Sequence, residues 1–257
     1  MKLFVPSSDH NPKKLKKIVH LTGFGPFKMY SPFKDIKINP SELVSRNLNN
    51  TSISSLNARY SENQIFSSIL NVTRESISEF EPHQDAIALI HLGFDDEMKG
   101  MGLEVIAENK LANTRNERII EKGPKLLPTT VDLSRCFLGA PNYFYNAAEY
   151  ILNPYNLQAS YNQYFINYHT KFLVNWSFSR DAGGFFCNEL FYRSLHRVRQ
   201  ENNDKLKTKK LGVSKNYSKQ VMPVLFVHLP PIEIIPLKSQ SHFVLQVIEE
   251  ILSTLDF

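Results

Sequence analysis

A chain of 257 residues with 42% hydrophobic and 21% charged content is long enough to bury a sizeable core and has the composition of a globular protein. No stretch reaches the roughly 18 to 20 apolar residues that cross a bilayer, and the N-terminal MKLFVPSSDHNPKKLKK is too short in its apolar run for a secretory signal, so a cytoplasmic protein without membrane contact is expected. The net charge of +5 gathers at Lys13–Lys17 and Lys205–Lys219, where no aromatic side chains interleave as a single-strand nucleic-acid binder requires.

Residues 1–16 read as a polar tail. The first apolar run, Lys17–Thr22 (KIVHLT), is strand-like and is followed by GFGPF. Pro40 suits the first turn of a helix over Ser41–Leu48. Apolar residues from Ile65 to Phe80 recur at helical spacing, predicting a second helix over Glu62–Phe80. Asp85–Leu92 (DAIALIHL) is the next strand, then Gly93 and a short run carrying Glu104. Lys171–Phe178 and Val221–Leu229 complete the strands, and helices are predicted over Asn188–Arg199 and Ser241–Leu255. Strands that are continuously apolar and alternate with helices indicate an α/β fold, with a mostly parallel sheet covered on both faces. Without repeats or a credible linker, residues 17–257 form a single domain, and the polar segments at about 141–170 and 200–220 read as surface insertions.

Of the two cysteines, Cys136 and Cys187, neither lies in a disulfide framework or a zinc-ligand cluster. Cys136 reads as a small apolar residue. Cys187 closes SRDAGGFFCN, between a Gly-Gly turn and a predicted helix start, where helix N–H groups and partial positive charge favour a thiolate and an oxyanion. From the residues alone it is either a nucleophile on a sharp strand-to-helix turn or a buried structural cysteine. His228, at the end of an apolar run, is either its base or a hydrogen-bonded core histidine. Glu104 alternates with apolar neighbours, which suits a carboxylate turned into a polar cleft as well as one on the surface.

The segments TGFGPF (Thr22–Phe27), INPS (Ile38–Ser41), HLG (His91–Gly93), LEVIAEN (Leu103–Asn109), DAGGFFCNELFYRSLH (Asp181–His196) and VHLP (Val227–Pro230) occur in the order of the pyroglutamyl peptidase I family, which the chain resembles from about residue 17 to its end. The resemblance implies a three-layer α/β/α sandwich. It also implies a cysteine exopeptidase (an omega-peptidase) that releases N-terminal pyroglutamate from peptides through a Cys187–His228–Glu104 triad and an acyl-enzyme. It implies neither metal nor organic cofactor. The pyroglutamyl ring would lie among Phe24, Phe27 and Phe185, with its lactam on main-chain atoms at Phe94. An arginine that assists the site in relatives falls nearest Arg115 by spacing, with Arg118 as the alternative.

The chain also departs from the family pattern. Residues 28–38 carry an insertion beside the expected pocket, and the acidic-Asn-Gly segment that follows the glutamate block in relatives is not recognisable in Thr114–Gly123. The insertions leave the assembly state, monomer or homo-oligomer, undetermined. Two rival readings stand beside the peptidase. One is a catalytically weak relative that binds pyroglutamyl or similar N-termini; the other is a binder of acidic partners through Lys205–Lys219, against which the plainer view is a solvated loop.

Overall fold

The eight residues KIVHLTGF become the axis of the molecule because neighbouring strands pair with both edges and apolar clusters cover both faces. The computed structural model describes residues 17–28, 35–36, 38–53, 63–112, 114, 117–136, 174–210 and 221–255. In chain order these form β1 (Lys17–Phe24), β2 (Phe27–Lys28), β3 (Asp35–Ile36), α1 (Pro40–Leu48), β4 (Ser52–Ile53), β5 (Asn63–Leu70), α2 (Arg74–Ser78), β6 (Ala86–Phe94), β7 (Met101–Glu104) and β8 (Ile106–Glu108). They continue with β9 (Leu126–Pro128), α3 (Leu133–Cys136), β10 (Trp176–Ser179), α4 (Phe186–Lys210), β11 (Val224–Leu229) and α5 (Leu237–Ser253). Seven strands make the main sheet in the order β10-β7-β11-β6-β1-β5-β4. Its pairings are parallel except β7 with β11 and β4 with β5.

Alternate residues of each strand feed different layers. Leu21, Ile90, Leu92, Leu225 and Val227 pack with Val44 of α1 and Val244, Val247, Ile248 and Ile251 of α5. Leu89, Val224 and Phe226 pack with Leu190, Phe191, Leu195 and Val198 of α4. The result is a mostly parallel sheet between two helical layers, as an α/β pattern of doubly covered strands requires.

The helix expected over Glu62–Phe80 is not formed. Residues 63–70 are strand β5, paired along its length with β1 from Lys17↔Asn63 to Phe24↔Leu70, and only Arg74–Ser78 is helical, with Thr73 capping it. Ile65 joins the α1–α5 layer and Leu70 the α4 layer, a period of two that the clustered apolar residues disguised. Eight ladder positions with β1 outweigh a weak helical preference. The α4 helix is also longer than expected. It runs through 200–210, where only a surface insertion was predicted, because its apolar stripe ends at Val198 while helix-forming residues continue, with Lys207 paired to Asp204 at 3.1 Å. The tail 1–16, most of 28–38, residues 141–173 and 211–220 lie outside the described residues.

A buried polar chain crosses the α4 layer. Thr22 Oγ1 lies 2.8 Å from His91 Nδ1, and Ser194 Oγ 2.9 Å from His91 Nε2. A neutral imidazole donates at one nitrogen and accepts at the other, so the two hydroxyls satisfy it. Burial, with nearby His20 as a lesser cause, pushes the His91 pKa from 6.5 down to about 3. Between those values the unfolded chain holds a proton that the native chain does not. Stability therefore rises with pH through that window, and acidification from about pH 6.5 removes about 1.4 kcal/mol per pH unit on account of this one residue. His91→Gln is expected to flatten the acid side of the stability curve by about that slope. Urea unfolding on either side of pH 6 checks this, and equal slopes in the two proteins would contradict it.

Candidate active site

Strand β7 runs antiparallel to β11, with Gly102 opposite His228 and Glu104 opposite Phe226. Residues two apart on a strand share a face, so Glu104 and His228 project together, on the side where Phe226 meets Phe191 of α4 at 5.9 Å between ring centroids. There His228 Nδ1 donates to Glu104 Oε1 at 2.7 Å. Glu104 is fully buried and His228 is 5% exposed. The second carboxylate oxygen, Glu104 Oε2, has no hydrogen-bond partner among the described residues.

The imidazole needs room as well as a partner. On its other side β11 pairs with β6, placing His228 beside Gly93. A Cβ at Gly93 would stand 2.7 Å from the Phe226 ring and 2.9 Å from His228 Cδ2, so only glycine lets both rings lie over β6. The sequence reading left Gly93 without a role. An isolated glycine within an apolar strand is the signal that would have found it.

Cys187 is half-buried at the second position of α4. The turn before it is knitted by Ser179 Oγ accepting from Asp181 N at 3.2 Å and Asp181 Oδ1 accepting from Gly183 N at 2.9 Å. Gly183 takes φ +81°, a left-handed conformation that favours glycine, whereas Gly184 does not take positive φ. Cys187 lies close enough to His228 to act on its ring by contact and by charge. Because Nδ1 is bonded to Glu104, Nε2 is the nitrogen left for the sulfur. Burial alone would lower the His228 pKa. Interaction with Cys187, and after it with Glu104, outweighs burial and holds the pKa well above 6.5. The arrangement sets a sulfur and a carboxyl group about one buried imidazole ring.

The residues of the site do not all come from strands pointing one way. β10 is parallel to β7 and both oppose β11, so Glu104 and the turn to Cys187 come from strands of the reverse direction. What unites the site is the shared α4 face of the sheet.

The expected pocket residues lie on four different elements or turns. Phe24 ends β1 and is buried, Phe94 ends β6 and is half-buried, and Phe27 in β2 is half-buried. Phe185, just before α4, is 54% exposed. Asn39 and Ser41 brace the loop that bears Phe24: Asn39 Nδ2 donates to Gly25 O at 3.0 Å, and Ser41 Oγ accepts from Phe24 N at 3.0 Å. Arg115 lies outside the described residues, while Arg118 is exposed and donates to Glu121 O, a contact apart from the triad residues. The Glu108 side chain is likewise exposed. Among the described residues no three His, Cys, Asp or Glu side chains gather as a metal site, and no helix is long and apolar enough to cross a membrane.

Gly93→Ala is expected to push the Phe226 and His228 rings off β6, costing about 1–3 kcal/mol of stability as an overpacked core does. It should also displace the imidazole NMR signals of His228. A variant with wild-type stability and unmoved His228 signals would contradict the packing described.

No family model matches the chain, nor does any curated protein match its sequence. Solved structures do. Pyrrolidone carboxyl peptidase from Thermus thermophilus aligns with a TM-score of 0.57 at 20% identity, over 90% of this chain and 99% of that one. Pyroglutamyl peptidase I from Bacillus amyloliquefaciens aligns with a TM-score of 0.59 at 18% identity, over 93% and 98%. Pyrrolidone carboxyl peptidase from Thermococcus litoralis aligns with a TM-score of 0.57 at 16% identity, over 92% and 93%. The likeness extends over nearly the whole length of these proteins: the chain has the fold of the pyrrolidone carboxyl peptidases.

Proposed function

We propose that this protein is a cysteine exopeptidase that hydrolyses the N-terminal pyroglutamyl residue from peptides. The observation that carries the proposal is the buried Glu104–His228 pair with Cys187 beside the same ring. The likeness of fold to pyrrolidone carboxyl peptidases supports it.

In this mechanism the Cys187 thiolate attacks the pyroglutamyl carbonyl, forming the C–S bond as the carbonyl π electrons move onto oxygen. The backbone N–H groups at the start of α4 face the developing oxyanion. His228 then gives its proton to the departing amine as the C–N bond breaks, leaving an acyl-enzyme and a neutral imidazole. Water adds to the thioester with His228 accepting its proton, and pyroglutamate leaves as the thiolate–imidazolium pair is restored. Glu104 orients the ring and stabilises its charge throughout.

Phe24, Phe27 and Phe185 supply flat apolar faces for a neutral five-membered ring, and main-chain atoms at Phe94 supply polar partners for its lactam. An N-terminal proline keeps the ring but brings an ammonium. Burying that charge without a partner costs several kcal/mol, on the order of 10³-fold in rate. Arg115, nearest in sequence to the arginine of relatives, is assigned the assisting role on spacing alone.

Among pyroglutamyl, prolyl, glutaminyl and alanyl fluorogenic amides, only the first is expected to be turned over efficiently. Cys187→Ala should abolish that activity while Cys136→Ala retains it. Comparable kcat/KM for the prolyl or alanyl amide would refute the pocket, and an active Cys187→Ala protein would refute the nucleophile.

Glu104→Gln keeps a hydrogen bond but removes the anion that favours imidazolium. It is expected to lower kcat far more than it raises KM, and to move the alkaline limb of the kcat/KM profile to lower pH, since His228 then loses its proton sooner. An unmoved limb would show that another group holds the imidazolium.

A further inference from the structure

Asn188 follows Cys187 directly and is 2% exposed. Its carboxamide acts as a neighbouring strand would: Oδ1 accepts from Glu108 N at 2.8 Å, and Nδ2 donates to Glu108 O at 2.9 Å and to Lys110 O at 3.4 Å. A primary amide matches a peptide N–H and a peptide C=O at once, which a carboxylate or a hydroxyl cannot do in the same geometry. The partner segment is β8, which follows the strand of Glu104 directly and pairs with β9. The next residue adds a second tie, as the fully buried Glu189 accepts from Ala112 N at 3.3 Å through Oε2.

This places one side chain and a few residues of strand between the nucleophile and the carboxylate that orients its base. The covalent route from Glu104 to Cys187 is far longer, along the chain through β8, β9, β10 and the glycine turn. Without the clamp, the first turn of α4 loses its direct tie to the strand that follows Glu104, and with it the register of Cys187 against His228. We infer that Asn188 is a positioning residue that sets Cys187 against the Glu104–His228 pair, a role that rests on the peptidase reading.

The test compares wild type, Asn188→Ala, Asn188→Ser, Cys187→Ala and Tyr192→Phe, all checked for folding by circular dichroism. Tyr192→Phe removes a different tether of the same helix, the 2.6 Å hydrogen bond to Pro124 O. A misplacement of about 1 Å at a reacting atom costs about 10²-fold, so Asn188→Ala should lose about that in kcat with KM within about threefold of wild type. Iodoacetamide labelling of Cys187 should lose its acid-side reactivity. The ratio of rates at about pH 6.5 and about pH 9 is expected to fall fivefold or more, because thiolate is the reactive form and its imidazolium partner has moved. Tyr192→Phe should keep both kcat and that ratio. If the alanine variant does not fold, the serine variant is judged by the same criteria. A folded Asn188 variant with kcat within about threefold of wild type and an unchanged labelling ratio overturns the positioning role while Cys187→Ala stays inactive. Turnover by Cys187→Ala overturns the peptidase reading and this inference with it.

Discussion

A carboxylate with no solvent exposure is the most demanding group in this structure, and Glu104 meets its cost through a 2.7 Å hydrogen bond to His228. Breaking a buried ion pair by removing one partner typically costs 3–5 kcal/mol, about half the stability of an ordinary domain. The pair exists because β7 lies antiparallel to β11, which puts the two residues on one face two ladder positions apart. It also exists because Gly93 leaves the space an imidazole needs over β6. With one carboxylate oxygen still unpartnered among the described residues, the pair is not optimised for stability alone. An anion whose hydrogen-bonding capacity is directed at a single ring is arranged to hold charge on that ring.

Helix α4 organises the second half of the site. Cys187 and the anchors Asn188 and Glu189 occupy its first turn, while Leu190, Phe191, Leu195 and Val198 bury it against the sheet. Ser194 meets His91 in the core, Arg193 pairs with buried Glu189, and Arg197 pairs with Glu81 beyond α2. A helix fixed along its length has little freedom at its end, so the N–H groups of its first turn stay oriented without reorganising during a reaction. This preorganisation gives a short Gly-bearing turn the accuracy that loops usually lack.

Much of the fold was legible from the chain alone. Doubly covered strands read as apolar runs, and KIVHLT, DAIALIHL and VMPVLFVHL each hold a strand of the central sheet. The glycine turn before Cys187 announced itself, and Gly183 does take positive φ. The strand β5 was misread as helix because NQIFSSIL carries apolar residues whose spacing fits both periods, and only pairing with β1 decides between them. Likewise, the α4 extension through 200–210 was hidden by the loss of its apolar stripe.

Side-chain period and turn chemistry are local, and so the sequence by itself determined an α/β architecture, a cysteine at a strand-to-helix turn and a histidine at the end of a covered strand. It left open whether Glu104 turns into a polar cleft or to the surface. The tertiary structure decided this, turning Glu104 onto the α4 face beside His228 and Glu108 outward. It also decided that β7 and β10 run opposite to β11, and that Asn188 takes the place of a strand beside β8. These outcomes depend on which strands become neighbours and in what register. Pairings between residues 124 positions apart, as for Glu104 and His228, are fixed by the whole core packing together rather than by any local preference.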